Sequence, residues 1–487
     1  MNDKAANKKS HKAKHDKPQP AEVASELPVV APPTLPDGQD RDARIAAGKA
    51  RRQQVSRGVH AEWMPPSDRR DPVEILIESS AGRLPELLPI RYGRMLQSPF
   101  TFFRGAAAVM AADLARTPAS GIQVQACGDC HLLNFGAFAT PERKLLFDLN
   151  DFDETLPGPW EWDLKRLAAS FVIAGRNNGF PDAAAQDTAR AVARSYREHM
   201  DELSGMRALD VWYAHIEMDA LLERFEDADT VRRARKRIAK AAARDVLEED
   251  YPALVSEEGG KPRIRDNPPL IYHPEASGTA AFEETLRTAF AGYRESLPDD
   301  RRLLLDRYRI EDLAIKVVGV GSVGTACGIL LMLAEVDDPL FLQVKEARTS
   351  VLEPYLGRSP YACRGQRVVV GQRLMQSASD IFLGWTVSPS GRHFYVRQLR
   401  DMKIKPMVEL FDVDVMTAYA EACGWALARA HARSGDAARI SGYLGKSARF
   451  DDALTAFAAA YAYQNERDHA ALMQAVRAGR IEAYLER

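Results

Sequence analysis

Apolar positions recur at helical spacing through residues 100–117, FTFFRGAAAVMAADLART. They do so again between 160 and about 250, in Ala-rich, charge-flanked stretches such as LKRLAASFVIAG and DAAAQDTARAVARSYREHMDEL. Between these helical blocks two short strands are expected, GIQVQAC at 121–127 and KLLFDLN at 144–150, separated by a polar loop. Near residue 305 the pattern changes. AIKVVGVGS, GILLMLAEV, LFLQVKEA, QRVVVGQRLM, FLGWTVS and HFYVRQL, punctuated by VDDP and SPSG, predict a mostly antiparallel sheet over 313–400. From 412 to the end the chain reads as helix again. No internal repeat is visible. The uncharged run 317–334 just reaches spanning length, but it holds four glycines and ends in Glu335 and Asp337-Asp338-Pro339. Two buried strands, or a strand and a helix, are expected there in place of a membrane span.

The first 42 residues are rich in Lys, Pro and Ala, poor in aromatics and without an apolar core segment, so a disordered tail is expected and a secretory signal is not. The basic segment VRRARKRIAKAAAR at 231–244 reads as a helix with a solvated face, because no aromatics interleave with its charges. With 487 residues, 46% hydrophobic and 28% charged, the chain can bury a large core, and a fully disordered or collagen-like chain is excluded. A net charge of −2 gives no global attraction to nucleic acid or anionic lipid, so neither is expected as a partner. Five cysteines exclude a disulfide scaffold and suit a reducing, cytoplasmic setting.

Candidate chemistry concentrates in two places. The first is Gly128-Asp129-Cys130-His131-Leu132-Leu133-Asn134, followed by Phe147-Asp148-Leu149-Asn150-Asp151-Phe152-Asp153-Glu154. A hairpin of the two flanking strands would gather Asp129, Asn134 and Asp151. Hard oxygen ligands of this kind suit Mg²⁺ shared with substrate phosphates. Phosphoryl transfer uses such a set, with one Asp on the acceptor hydroxyl and an Asn and a second Asp on the metal. Cys127-Gly128-Asp129-Cys130-His131 also spells C-x-x-C-H, so haem attachment or thiol redox chemistry competes for the same loop.

The second is Gly319-Val320-Gly321-Ser322-Val323-Gly324, a G-x-G-x-x-G whose backbone N–H groups can approach phosphate oxygens. Two readings use it. In a dinucleotide-binding unit a strand at 314–319 leads to a helix at 325–335, and Glu346 takes a ribose hydroxyl. In a nucleotide-phosphate loop the glycines join two antiparallel strands and Lys345, on the next strand, reaches the α- and β-phosphates. Glu353 would pair with that lysine, although Pro354 follows it directly. A Gly-rich hairpin with no ligand is the third possibility.

The pattern G-D-x-H-x-x-N followed by D-F-D resembles the aminoglycoside-phosphotransferase branch of the protein-kinase-like superfamily. That resemblance implies Asp129 as catalytic Asp, His131 as brace of the loop, Asn134 and Asp151 as metal ligands and Asp153 as a further acid beside the metal. Asp163, in WEWDLKRLA, resembles the structural Asp that opens the next helix. It also implies ATP and Mg²⁺ as cofactors, with Gly319, Gly321, Gly324, Lys345 and Glu353 on the nucleotide. In kinases the glycines and lysine precede the catalytic loop; here they follow it by about two hundred residues, so the resemblance implies a circularly permuted, two-lobed α+β fold. Its parts would be a helix-rich catalytic lobe (43–304), a β-rich nucleotide lobe (305–404) and C-terminal helices (405–487) packed back on the first lobe. Residues 395–399 would be the hinge offering backbone groups to adenine.

The chain beyond the tail, over roughly 45–485, also resembles a bacterial family known as domain of unknown function 2252. The residues that carry this are HAEW at 60–63, RYGRM at 91–95, SPFTFFRGAA at 98–107, CGDCHLLNFG at 127–136, FDLNDFDET at 147–155, QVKEA at 343–347, GQRLMQ at 371–376, YVRQLRDMK at 395–403 and ARAHARSGD at 428–436. Within them Arg91, Arg94, Arg104, His431 and Arg433 suit either phosphate or acceptor binding, or salt bridges between the lobes. Phe102-Phe103, Trp160 and Trp162 are expected in the core. The expected function is an ATP- and Mg²⁺-dependent phosphotransferase acting on a hydroxyl of a small molecule or protein. A non-catalytic nucleotide-binding module, an adenylyl transferase and an NAD(P)-dependent oxidoreductase are the alternatives.

Overall fold

A computed structural model describes residues 27–33, 38–224, 229, 231–233, 235–236, 251–275, 277–317, 319, 321, 323–335, 338–399 and 403–484. The fold is mixed α+β, about half helical, with a six-stranded antiparallel sheet. Its principal helices are α1 (Arg41–Ala50), α2 (Pro72–Ser80), α3 (Leu88–Leu96), α4 (Pro99–Gly105), α5 (Ala107–Leu114), α6 (Trp160–Asn177) and α7 (Asp182–Ser204), followed by α8 (Ala280–Glu295), α9 (Arg364–Met375), α10 (Val413–Ser434), α11 (Ala437–Leu444) and α12 (Arg449–Arg477). Most of the segment 231–244 lies outside the described residues. Among the described residues no helix is long and apolar enough to cross a membrane.

Helices α6 and α7 pack on each other, α10 and α12 each pack on both, and α11 packs on α1 and α7. The small residues that mark them in sequence allow close approach: a Cβ on Gly424 of α10 would stand 2.6 Å from the Val192 carbonyl of α7. Trp160 is fully buried and stacks on Tyr196, and Phe102, Phe103 and Trp162 are also core.

Two small sheets hold the first chemical cluster. Strands β1 (Gln123–Ala126) and β4 (Leu156–Pro159) pair antiparallel, and so do β2 (Phe135–Ala139) and β3 (Leu145–Leu149). The expected hairpin of 121–127 with 144–150 is therefore corrected. The apolar run FGAFA forms a strand of its own, buried along its length, and takes β3 as partner. The 100–117 block also divides, into α4 and α5, at Gly105-Ala106.

The large sheet has the order β11-β12-β10-β9-β8-β7, comprising β7 (Ile271–Tyr272), β8 (Arg309–Lys316), β9 (Cys327–Leu333), β10 (Pro339–Glu346), β11 (Gly384–Val387) and β12 (His393–Gln398). Leu330 and Met332 face one core with Tyr293 of α8, and Ile329, Leu331 and Leu333 face another with Leu254 and Ile264. Burial on both faces explains the unbroken apolar run of β9. Since β7 joins this sheet and α8 covers it, the sheet's layer begins well upstream of residue 305.

Two further expectations are corrected. QRVVVGQRLM is not a strand but lies in α9, because Gly365, Val368, Val369, Gln372 and Met375 fall on one buried face at helical spacing. Tertiary burial of that face outweighs the strand preference of three valines. The expected disorder of residues 1–42 does not hold at its end: Val30 donates to the Arg358 carbonyl, Arg358 donates to Pro28, and the Val30 side chain is buried. Residues 1–26 and 34–37 lie outside the described residues.

Candidate active site

The loop after β1 is held by helix α6 beneath it. Asp163 accepts from the N–H groups of Cys127 (2.7 Å) and Gly128 (2.9 Å), and Ser170 Oγ accepts from Leu132 N–H (3.0 Å). His431 Nε2 lies 3.2 Å from the same Asp163, and its Nδ1 lies 2.9 Å from Tyr196 Oη. Gly128, at φ 83°, turns the chain where a Cβ would stand 2.6 Å from the Glu154 carbonyl. Glycine alone meets both demands.

Asp129 stands on this turn with 21% of its side chain exposed. Arg166 Nε, one turn along α6 from Asp163, donates to its Oδ1 at 2.7 Å. Burial raises the Asp129 carboxyl above its ordinary value, against the pull of Arg166 and Arg104. His131 Nε2 lies 3.9 Å from Asp129 Oδ2. Burial, with Arg166 and Arg104, lowers the imidazole well below its usual range, so the ring is neutral. Asn134 donates its amide N–H to the Asp129 carbonyl (2.6 Å), and its amide oxygen has no donor among the described residues. The Asn134 carbonyl in turn accepts from Asn150 N–H at 2.8 Å, which brings the start of β2 beside the end of β3 and its Asp151.

Asp151 is half-buried beside Asp153, and desolvation followed by that neighbour raises its carboxyl. It accepts from Asp153 N–H at 3.3 Å, and among the described residues no cationic side chain bonds it directly. A half-buried carboxylate and an amide oxygen with no donor among the described residues make a set that suits Mg²⁺. Asp153, expected as a further acid beside the metal, is engaged by two side chains of the large sheet. Lys345 Nζ donates to its Oδ2 at 2.8 Å and the Tyr395 hydroxyl donates to its Oδ1. Burial alone would lower the Lys345 ammonium, but Asp153, then Tyr395 and Asp151, hold it well above its ordinary value. Glu353 is likewise not the partner of Lys345, because its carboxylate accepts from Ser350 N–H (3.2 Å) at the start of a single helical turn.

Lys345 reaches this point because β10 runs between β9 and β12, opposite Cys327 and Tyr395. The glycine segment joins the antiparallel strands β8 and β9; residues 327–333 are strand, so the helix of the dinucleotide-binding reading is absent. Gly319 and Gly324 take φ of 69° and 86°. The loop is tied to the helical side: Arg94 donates to the Gly319 carbonyl, Arg83 to Val323 (2.6 Å) and Leu84 N–H to Gly324 (2.7 Å). Residues 318, 320 and 322 lie outside the described residues. The backbone at 395–399 is not a free hinge, since Gln398 N–H donates to Asp380 and Leu399 N–H to Phe341.

Haem attachment through Cys127 and Cys130 conflicts with their burial, at 1% and 0% exposure. Their sulfurs lie within 4.8 Å of each other and of an Asp163 oxygen, but both oxygens of that carboxylate already accept backbone N–H groups. Arg91 is also structural, bonded to Ser80 and to the Gly105 carbonyl. Arg433 lies over Trp212 at 4.0 Å.

Sequence reasoning missed Arg166 and Arg367. The signal for Arg166 was its place three residues after Asp163 on one helix. Arg367 donates to Thr155, Asp153 and Arg348 carbonyls and braces the segment after Asp151, with no signal beyond its lying in the buried helix α9.

Residues 83–475 match the family model described as an uncharacterized protein conserved in bacteria, DUF2252. No curated protein and no solved structure matches the chain.

Proposed function

The chain belongs to the DUF2252 family, and we propose that it is an ATP- and Mg²⁺-dependent phosphotransferase with a permuted, kinase-like arrangement of its site. The observation that carries this reading is the meeting of the two distant clusters: Lys345 and Asp153, 192 residues apart in sequence, bond at 2.8 Å, two residues from Asp151. The Asn150 N–H bond to the Asn134 carbonyl brings the Asp129–Asn134 loop beside the same segment.

In this reading Asn134 and Asp151 hold Mg²⁺, which when bound neutralises charge on the phosphates of ATP. Lys345 holds the phosphates from the sheet side, with Asp153 and Tyr395 fixing its ammonium. Asp129, ionised, accepts the proton of the acceptor hydroxyl as that oxygen attacks the γ-phosphorus, whose bond to the β–γ bridging oxygen breaks and releases ADP. Arg166 favours the ionised form and aims the carboxylate. Asp163 and Ser170 hold the loop's backbone and take no part in proton transfer.

Incubation with Mg²⁺ and either γ- or α-labelled ATP, in the presence of cell extract, tests the proposal. The γ label is expected in a product and the α label is not, with loss of labelling on chelation of Mg²⁺. Labelling by the α position would replace phosphoryl with adenylyl transfer. ATP binding without either label would leave a non-catalytic nucleotide module.

A further inference from the structure

Arg104 lies in the last turn of helix α4. The carbonyl of the preceding residue, Phe103, accepts from Arg166 Nη2 at 2.9 Å, so Arg104 follows directly on the residue that ties α4 to the Asp129 partner. On its other side its own carbonyl lies 3.6 Å from where a Cβ on Gly321 would stand. Arg104 is thus lodged between the middle of the glycine loop and the loop that carries Asp129.

Among the described residues its guanidinium has no bonded partner. The Nε atom is buried and makes no hydrogen bond, and no hydrogen bond or ion pair joins the side chain to any described residue. The neighbouring charges are otherwise matched. Arg166 is paired with Asp129 and Lys345 with Asp153. Arg397 donates to Gln343 Oε1, and Asp151 faces Arg397 and Lys405. The charges nearest Arg104 are Asp129, Glu409 and Arg94, and burial disfavours its cation. A planar, five-donor cation kept partly desolvated without an acceptor costs stability, and an anion arriving beside it would offset that cost.

We propose that Arg104 takes the terminal phosphate of a polyphosphate bound beside the Asp129 loop and the glycine loop. The inference rests on the ATP reading above and assigns it the residue that distinguishes ATP from ADP. Arg104 lies on the Asp129 side, where the phosphoryl group is handed to the acceptor, and its charge stabilises the equatorial oxygens during transfer.

Binding of ATP·Mg²⁺, ADP·Mg²⁺ and inorganic tripolyphosphate by the full chain, with Arg104→Ala and Arg104→Lys, tests this. Loss of a charge-assisted contact weakens ATP by about 10–100-fold in Arg104→Ala, while ADP changes by less than about 2-fold. Arg104→Lys falls between, since lysine keeps the charge and not the fork. The melting temperature of the ligand-free Arg104→Ala protein is unchanged or raised, which a merely structural arginine would not give. Equal loss of ATP and ADP, or unchanged ATP affinity, overturns the assignment. If the parent chain binds tripolyphosphate through Arg104 but neither nucleotide, the ATP reading fails and the anion site stands. If it binds none of the three, both fall.

Discussion

Asp129→Asn is expected to lower turnover by about 10²–10⁴-fold while leaving ATP·Mg²⁺ binding within about 2-fold, because the amide occupies the same space but accepts no proton from the acceptor hydroxyl. Isothermal titration beside a single-turnover assay separates the two quantities. Parallel loss of binding and turnover would mean that Asp129 serves the nucleotide and not the acceptor. The parent enzyme carries a pH signature of the same group. The Asp129 carboxyl is raised by burial, and a base must be ionised to act. Activity therefore falls as pH drops through a point above the usual aspartate range. Arg166 opposes the rise, so Arg166→Gln moves that acid limb to higher pH. An acid limb that stays in place in Arg166→Gln would remove Asp129 from the proton-transfer role.

Asp148→Asn is expected to cost about 3–5 kcal/mol of folding stability, the range for breaking one side of a buried ion pair. Asp148 is 0% and Arg429 1% exposed, and Arg429 Nη2 donates to Asp148 Oδ1 at 2.5 Å. The other carboxylate oxygen accepts from the N–H and hydroxyl of Ser377, at 2.9 and 2.8 Å. One carboxylate thus joins β3, the end of α9 and α10, three residues before Asp151. Removing its charge leaves a guanidinium in the core with two further nitrogens already unbonded. Chemical denaturation of the single variant and of Asp148→Asn/Arg429→Met checks this. The double variant recovers most of the loss, because no buried charge is then left unmatched. A single variant within about 0.5 kcal/mol of the parent would show that the pair is not desolvated in solution.

The glycine loop and Lys345 were legible as residues but not as contacts. Lys345 was recognisable from its strand, LFLQVKEA, yet its partner was expected at Glu353 and stands at Asp153. The reason is register: β10 places Lys345 opposite Tyr395, and both side chains meet the loop after β3, which arrives from another part of the chain. Arg104 was visible as one of several arginines beside aromatics. Only the packing shows that Arg91 is bonded to protein groups while Arg104 is not.

Local pattern by itself determined most of the helical blocks and the antiparallel character of the sheet after residue 305, because periodicity and short-range spacing act within a few turns or strands. Tertiary structure alone decided that β1 pairs with β4, that a valine-rich segment becomes α9, and which acid serves Lys345. These depend on contacts between residues far apart in sequence, where burial of a shared face or a charge outweighs the preference of either segment on its own.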